Sequence, residues 1–304
     1  MDRIHLVALL TAVIHLTDTL FYAVRLSGVK TRRLITALSL FQLIALLAGV
    51  ANMVQAPLLS AIVEQAINAG QAAHQANLQY LLGGIRLIIL ASSAGTIAAA
   101  AIAPIFIFFM NRAVFVYERT GSVSQLLLLL ISPSRIARLS RELSTAFGQR
   151  RRVAPIKTGT RWPRPGKARR CPPRRQGLAA LVCLILRSRP LPLILLLVHI
   201  LVVSIWTNGV LAALYAGALL PAYRSTASLL SGIVNGIAAV LSNFMIDPVT
   251  AVITDQALQG QRDERDMINL TYWMMCTRLL GTILAQPIFI PTVHLVEMLT
   301  RLMT

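Results

Sequence analysis

Charge is scarce in this sequence. Only 13% of its 304 residues are Asp, Glu, Lys or Arg, where a water-soluble domain carries roughly a quarter. Acids are rarer still, 11 against 29 basic residues, and aromatics make up 6%. That shortage excludes an ordinary soluble domain, which needs a charged surface. The three cysteines, Cys171, Cys183 and Cys276, form no Cys-x-x-Cys pair. This excludes a disulfide scaffold and a thiolate zinc site, so free thiols are expected. The five histidines are scattered without metal-ligand spacing. No paired carboxylates or activated nucleophile stand at a spacing that chemistry would use, so an enzyme is the least supported class and no cofactor or metal is expected.

What is present is apolar: 56% of the residues, gathered into runs long enough to cross a bilayer, for which ~20 residues suffice. The runs predict six transmembrane helices, at about Ile4–Leu26, Leu34–Ala56, Leu81–Met110, Leu191–Leu220, Thr226–Ile246 and Met267–Leu295. A polar linker is expected over Glu64–Asn77. A surface-lying amphipathic helix is expected over Leu126–Leu143, then a disordered Pro/Arg run over Arg150–Gln176 and an apolar patch, Leu178–Leu186, too short to span. The organisation is thus a membrane unit over 1–120, a basic loop over 121–190 and a second membrane unit over 191–304. The first segment lacks the basic start and small-residue cleavage site of a signal peptide and is expected to stay in the mature chain.

The net charge of +18 is concentrated. Between Arg135 and Arg175 stand fourteen Lys and Arg against one acid, Glu142. A basic loop beside membrane helices is the pattern of a cytoplasmic loop, and it can also touch anionic membrane lipids. No aromatic-interleaved recognition motif accompanies it, so no nucleic acid partner is expected. Lys30, Arg32 and Arg33, the basic loop, and Gln261–Asp266 all fall on one side of a six-helix count, which puts both termini outside.

The two membrane units resemble each other. Asn52-Met-Val-Gln-Ala-Pro57 and Asn243-Phe-Met-Ile-Asp-Pro248 are each followed by an acid-Gln-Ala triplet, Glu64-Gln65-Ala66 and Asp255-Gln256-Ala257, at a constant offset. Gly95-Thr-Ile precedes Pro104-Ile-Phe-Ile, and Gly281-Thr-Ile precedes Pro287-Ile-Phe-Ile, with the spacing three residues shorter in the second copy. Thr17-Asp18 and Thr207-Asn208 add a thinner echo. Three helices per unit is odd, so the second copy must enter the membrane from the opposite side. The expected fold is therefore an all-α polytopic membrane protein of two inverted three-helix repeats, a build that lets one site face either side in turn.

Polar groups at bilayer depth mark candidate sites, because insertion costs each ionisable one at least ~2.5 kcal/mol. Thr11, His15, Asp18, Tyr22 and Arg25 fall on one stripe of the first helix. His15 and Asp18, one turn apart, can hydrogen-bond, either as a proton-responsive lining or as a packing pair. Pro57 and Pro248 free carbonyls near helix ends, where Asn52, Gln55, Asn243 and Asp247 can satisfy them or line a substrate path. Arg86 and Arg278 stand at the entry ends of the third and sixth helices. Their guanidiniums suit a phosphate or carboxylate, with snorkelling to head groups the competing account, above all for Arg86. Arg278, Thr282 and Gln286 share a face. Gly232-x-x-x-Gly236 reads as a packing face.

Several of these stretches together resemble the Amj family of lipid II flippases, the alternates to the MurJ flippase. They are His15-x-x-Asp18-Thr-Leu, Tyr22-Ala-Val-Arg25-Leu-Ser-Gly28, Asn52-Met-Val-Gln55-Ala-Pro57-Leu-Leu, Gly209-Val-Leu-Ala-Ala-Leu-Tyr-Ala-Gly217, Leu230-Ser-Gly-Ile-Val-Asn235, Asp247-Pro248, Ile253-Thr-Asp255 and Arg278-Leu-Leu-Gly-Thr282. The likeness departs at Ala48-Gly-Val-Ala51, which is less polar than the family pattern, and falls away between Gln149 and His199. The resemblance implies a plasma-membrane protein carrying an undecaprenyl-linked peptidoglycan precursor, lipid II, from the inner to the outer leaflet. It makes Arg25, Arg86 and Arg278 candidate pyrophosphate contacts and Asn52, Gln55, Asn243 and Asp247 candidate polar lining. Two other classes stay open at this point: a small-solute or ion exporter coupled through His15 and Asp18, and a non-transporting scaffold that recruits cell-wall enzymes through the basic loop.

Overall fold

A computed structural model describes residues 3–68, 74–121 and 191–304. Six spans account for nearly all of them: α1 (Arg3–Thr31), α2 (Leu34–Asn68), α3 (His74–Thr120), α4 (Leu193–Leu219), the composite span α5 (Pro221–Leu258) and α6 (Glu264–Met303). No strand occurs among the described residues. The surface helix, the Pro/Arg run, the apolar patch, Cys171 and Cys183 lie outside the described residues, while Cys276 is an exposed free thiol.

The helices outrun their apolar segments. α3 has 47 residues, about 70 Å at ~1.5 Å per residue, against a hydrocarbon core of ~30 Å. Residues expected to form a linker, Glu64–Asn68 and His74–Asn77, belong instead to the last turns of α2 and the first turn of α3. Gln, Glu and Ala are good helix formers, so the helix carries on through the polar interface where the apolar count stops. For the same reason Pro57 is not a helix end: α2 runs straight through it for eleven further residues. Its counterpart differs. α5 breaks near Leu230, and one wide turn, Ser242–Ile246, stands immediately before Asp247-Pro248.

Direction is fixed by pairwise contacts. In the first half α1 and α3 run parallel: Ile4 meets Gly84, Ala12 meets Gly95, and Ser27 Oγ donates to Asn111 at 2.7 Å. In the second half α4 and α6 run parallel: His199 Nδ1 lies 2.7 Å from the Thr277 hydroxyl, Val203 and Ile200 meet Gly281, and Asn208 Nδ2 donates to the Ala285 carbonyl at 2.8 Å. α2 returns antiparallel along α1 (Leu34 against Gly28), and α5 along α4 (Arg224 against Gly217, Asn235 against Gly209). α1 and α6 are antiparallel, since Lys30 Nζ pairs with Glu264 at 3.0 Å and Thr271 Oγ1 reaches the Tyr22 carbonyl at 3.4 Å. The two halves therefore run in opposite senses.

Four helices, α1, α3, α4 and α6, make the central block. α2 packs on α1, α3 and α4, while α5 packs on α4, α6 and α1. One cavity is lined by both flanking helices, Gln42 and Ala45 from α2 and Ile246 and Asp247 from α5, which marks a slot between them. Their outer faces carry exposed Leu46, Met53, Ile237 and Phe244, as helices in contact with lipid do. One apolar core joins Ile4 and Val7 to Leu59, Leu214, Phe289 and Val296, and another joins Leu26 and Val29 to Leu195, Ala257 and Met267. The first gathers the N-terminal ends of α1 and α3 with the C-terminal ends of α2, α4 and α6. The second gathers the opposite end, so both chain termini lie at one end and the Lys30–Arg33 and Gln261–Asp266 loops at the other.

In lipid, helices gain little from apolar burial and associate through close packing at small residues. A Cβ on Gly95 would strike the Ala12 carbonyl, and one on Gly281 the Ile200 carbonyl at 2.8 Å. Gly232 and Gly236, expected to form a packing face, instead meet open space within 4 Å of an added Cβ. Overpacking typically costs ~1–3 kcal/mol. Gly95→Leu and Gly281→Leu should each lower the unfolding midpoint in detergent. Gly49→Ala, within α2 with nothing within 4 Å of the added carbon, should leave it unchanged or raise it.

Candidate functional site

The stripe on α1 faces inward toward the slot, and Asp18 sits near the helix midpoint. Its carboxylate accepts from Nη2 of Arg278 on α6 at 2.9 Å, with the arginine side chain only 9% exposed and the aspartate side chain 48% exposed. This pair lies between two cavities, both of which also touch Trp206 of α4.

Toward the basic end lies a cavity of about 360 Å³ whose polar lining includes Tyr22, Arg25, Gln42, His199, Asp247 and Thr250. Arg25 donates to the Thr250 hydroxyl, stands 3.8 Å from Asp247, and lies over the Phe21 ring at 5.0 Å from its centre. The Tyr22 hydroxyl and His199 Nε2 are 2.7 Å apart, and the other ring nitrogen of His199 meets Thr277. His199 is thereby held at both ends, and Tyr22 is fixed beside Arg278.

Toward the terminal end lies a second cavity, about 410 Å³, lined among others by Thr11, His15, Asn52, Gln55 and Thr207. Three atoms on its lining residues are buried with no hydrogen-bond partner: His15 Nδ1, Gln55 Oε1 and Arg278 Nε.

The structure thus brings together Arg25, Asp247, Asp18 and Arg278, and, beyond the ion pair, His15, Asn52 and Gln55. It does not bring in Arg86 or Asn243. Arg86 is exposed on α3 and meets α6 through its backbone carbonyl, which accepts from Gln286 at 2.8 Å. Asn243 is exposed on the wide turn of α5 and lines neither cavity. The expected His15–Asp18 bond is replaced by Asp18–Arg278, because a guanidinium is always charged and offers the carboxylate a fork of strong donors. The face shared by Arg278, Thr282 and Gln286 splits in use: Thr282 accepts from Ser93 at 3.0 Å and Gln286 packs on α3, so Arg278 alone reaches the cavities. Sequence reasoning passed over His199, Trp206 and Thr250. His199 is a lone polar residue inside an apolar run, and nothing in its neighbourhood marks it.

Arg25 and Arg278 line the first cavity, and the second has Arg278 with the amides of Asn52 and Gln55. A family model described as Amj, alternate to MurJ, matches residues 10–161 and 173–300. A protein of Bacillus subtilis (strain 168) named lipid II flippase Amj is 30% identical over 289 residues, covering 95% of this chain and 93% of that one. No solved structure matches. The family match leaves out only residues 162–172 of the middle region. The break in likeness is therefore much narrower than the Gln149–His199 stretch expected from the motifs.

Proposed function

Because this chain belongs to the Amj family, we propose that it is a lipid II flippase of the bacterial plasma membrane, moving the undecaprenyl-linked peptidoglycan precursor from the inner to the outer leaflet. The act makes and breaks no covalent bond. Its barrier is the cost of taking a charged, hydroxyl-rich head group through a hydrocarbon layer.

One observation carries the reading physically. A buried arginine faces a polar cavity that α2 lines on one side and α5 on the other. Lipid II is an amphiphile: its pyrophosphate needs cations and its long tail must stay in the acyl chains. Arg25 and Arg278 take the pyrophosphate, with Asp247 and Asp18 as their counter-ions while no substrate is bound. The tail passes between the flanking helices, so a closed pore is not needed. A small-solute exporter has no use for such a lateral opening.

We read the two halves as copies of one three-helix unit. The glycine of each Gly-Thr-Ile motif seats the third helix of its half against the first, Gly95 on Ala12 and Gly281 on Val203 and Ile200. The two halves run in opposite senses, an arrangement that many alternating-access transporters use. Asp18 and its counterpart Asn208 both bond α6, one through Arg278 and the other through the Ala285 carbonyl.

Purified protein in liposomes tests the function. It should move fluorescent lipid-linked oligosaccharide across the bilayer and leave small sugars and ions behind. Transport of small solutes with no lipid movement would sink the reading. A second measurement tests the lateral route. Ala45 of α2 and Ile246 of α5 line the same cavity from the two rims. In a cysteine-free background, linking Ala45→Cys to Ile246→Cys with a bifunctional thiol reagent should stop lipid movement, and a cleavable linker should restore it on reduction.

A further inference from the structure

We infer that the cavity on the terminal side of the Asp18–Arg278 pair is a separate subsite for a neutral sugar ring bearing hydroxyl and amide groups; this rests on the flippase reading and says which part of the head group goes where. The argument begins with atoms that lack partners. An unmade hydrogen bond at a buried polar atom is costly, and folded proteins leave few of them. Here three such atoms, His15 Nδ1, Gln55 Oε1 and Arg278 Nε, belong to residues lining one cavity. Gln55 Oε1 can only accept, Arg278 Nε–H can only donate, and an imidazole nitrogen does either. The atoms themselves are closed off from the cavity, so a ligand reaches them only as these side chains turn, and one that satisfies all three must carry donors and acceptors together, as hydroxyls and amides do and as a phosphate does not.

The rest of the lining agrees. Apart from the shared pair, its polar residues include no Lys, Arg, Asp or Glu: they are Thr11, His15, Asn52, Gln55 and Thr207. A second anion-binding cation is absent from this lining, whereas the neighbouring cavity adds Arg25. Trp206 stands at the junction of the two cavities with 44% of its surface exposed. An indole face beside amide side chains is the usual chemistry for the C–H face of a pyranose. The volume, about 410 Å³, falls within the range of small-molecule sites, ~300–1,000 Å³. The sugar then lies ahead of the pyrophosphate along the slot, on the side toward which the precursor is carried.

Binding in lipid nanodiscs separates the possibilities. The two probes are a polyprenyl pyrophosphate carrying a disaccharide and the same lipid without sugar. The protein should prefer the glycosylated probe. Gln55→Leu combined with Asn52→Leu should erase that preference, lowering affinity for the glycosylated probe at least tenfold while affinity for the bare lipid holds; Trp206→Ala, at a residue that touches both cavities, should lower affinity for the glycosylated probe more than for the bare lipid and so narrow the ratio of the two. Trp206→Phe, which keeps an aromatic face, should retain most of it. Should either variant weaken both probes equally, or neither, the sugar subsite is wrong. If the double variant fails to fold, Trp206→Ala and Trp206→Phe carry the same decision. If the unmodified protein binds neither probe, the flippase reading falls, and the subsite with it.

Discussion

Arg278→Ala is expected to abolish flipping in liposomes and to fail in rescuing cells depleted of their other lipid II flippase, with the protein still present in the membrane. Arg278 is the cation common to both cavities, and its guanidinium is almost wholly withdrawn from solvent. A charge-assisted bond is worth ~1.5–3 kcal/mol, and a guanidinium that grips a phosphate with two parallel bonds contributes twice. The loss is therefore ~3 kcal/mol or more, on the order of 100-fold in binding. Removing one partner of a fully buried ion pair also destabilises a protein by ~3–5 kcal/mol. That figure shrinks here because the partner left behind, Asp18, is half exposed to the cavities. The fold should accordingly survive where function does not. Arg278→Lys keeps the charge but loses the planar fork, and should leave slow, measurable transport. Full rescue by Arg278→Ala would remove this residue from the site.

How far the site could be read from sequence depends on the range of the interaction. The stripe from Thr11 to Arg25 was legible because helical periodicity is local: five polar side chains on one face of an apolar helix imply something polar opposite. What lies opposite was not legible. Arg278 is 260 residues from Asp18, and the nearer candidate, His15, was the natural partner to name. Arg86 and Asn243 entered the reading through motif position and charge. Both are exposed because helix rotation, which no motif specifies, turns them outward. His199 was missed for the opposite reason, being a single polar residue in an apolar run that becomes meaningful only when α1 and α6 present Tyr22 and Thr277 to its two nitrogens. The helix count followed directly from hydropathy. The helix lengths did not, since helices persist into the polar interface on backbone bonding alone.

Asp18→Asn should do the reverse of Arg278→Ala on binding and much the same on transport. In the unliganded protein the Asp18 carboxylate holds the guanidinium at 2.9 Å, so an arriving pyrophosphate must displace it. Two anions then compete for one cation. An amide still fills the space and accepts a hydrogen bond, but it carries no charge, and a bond to a charged partner is roughly twice as strong as a neutral one. Affinity for polyprenyl pyrophosphate should rise by about tenfold, the equivalent of ~1.4 kcal/mol. Release should slow by a similar factor, since affinity changes within one site fall mostly on dissociation. Turnover in liposomes should drop although the lipid binds better. The exchanged pair, Asp18→Arg with Arg278→Asp, separates this from a purely structural role. It restores attraction across the same gap and should recover stability, yet it moves the cation from α6 to α1 and sets a carboxylate at position 278, between the two cavities, and should not recover flipping. A double variant that transports normally would reduce the pair to a packing device. One that is stable and inert would identify release of Arg278 by Asp18, and its recapture after the substrate leaves, as the step that turns binding into movement.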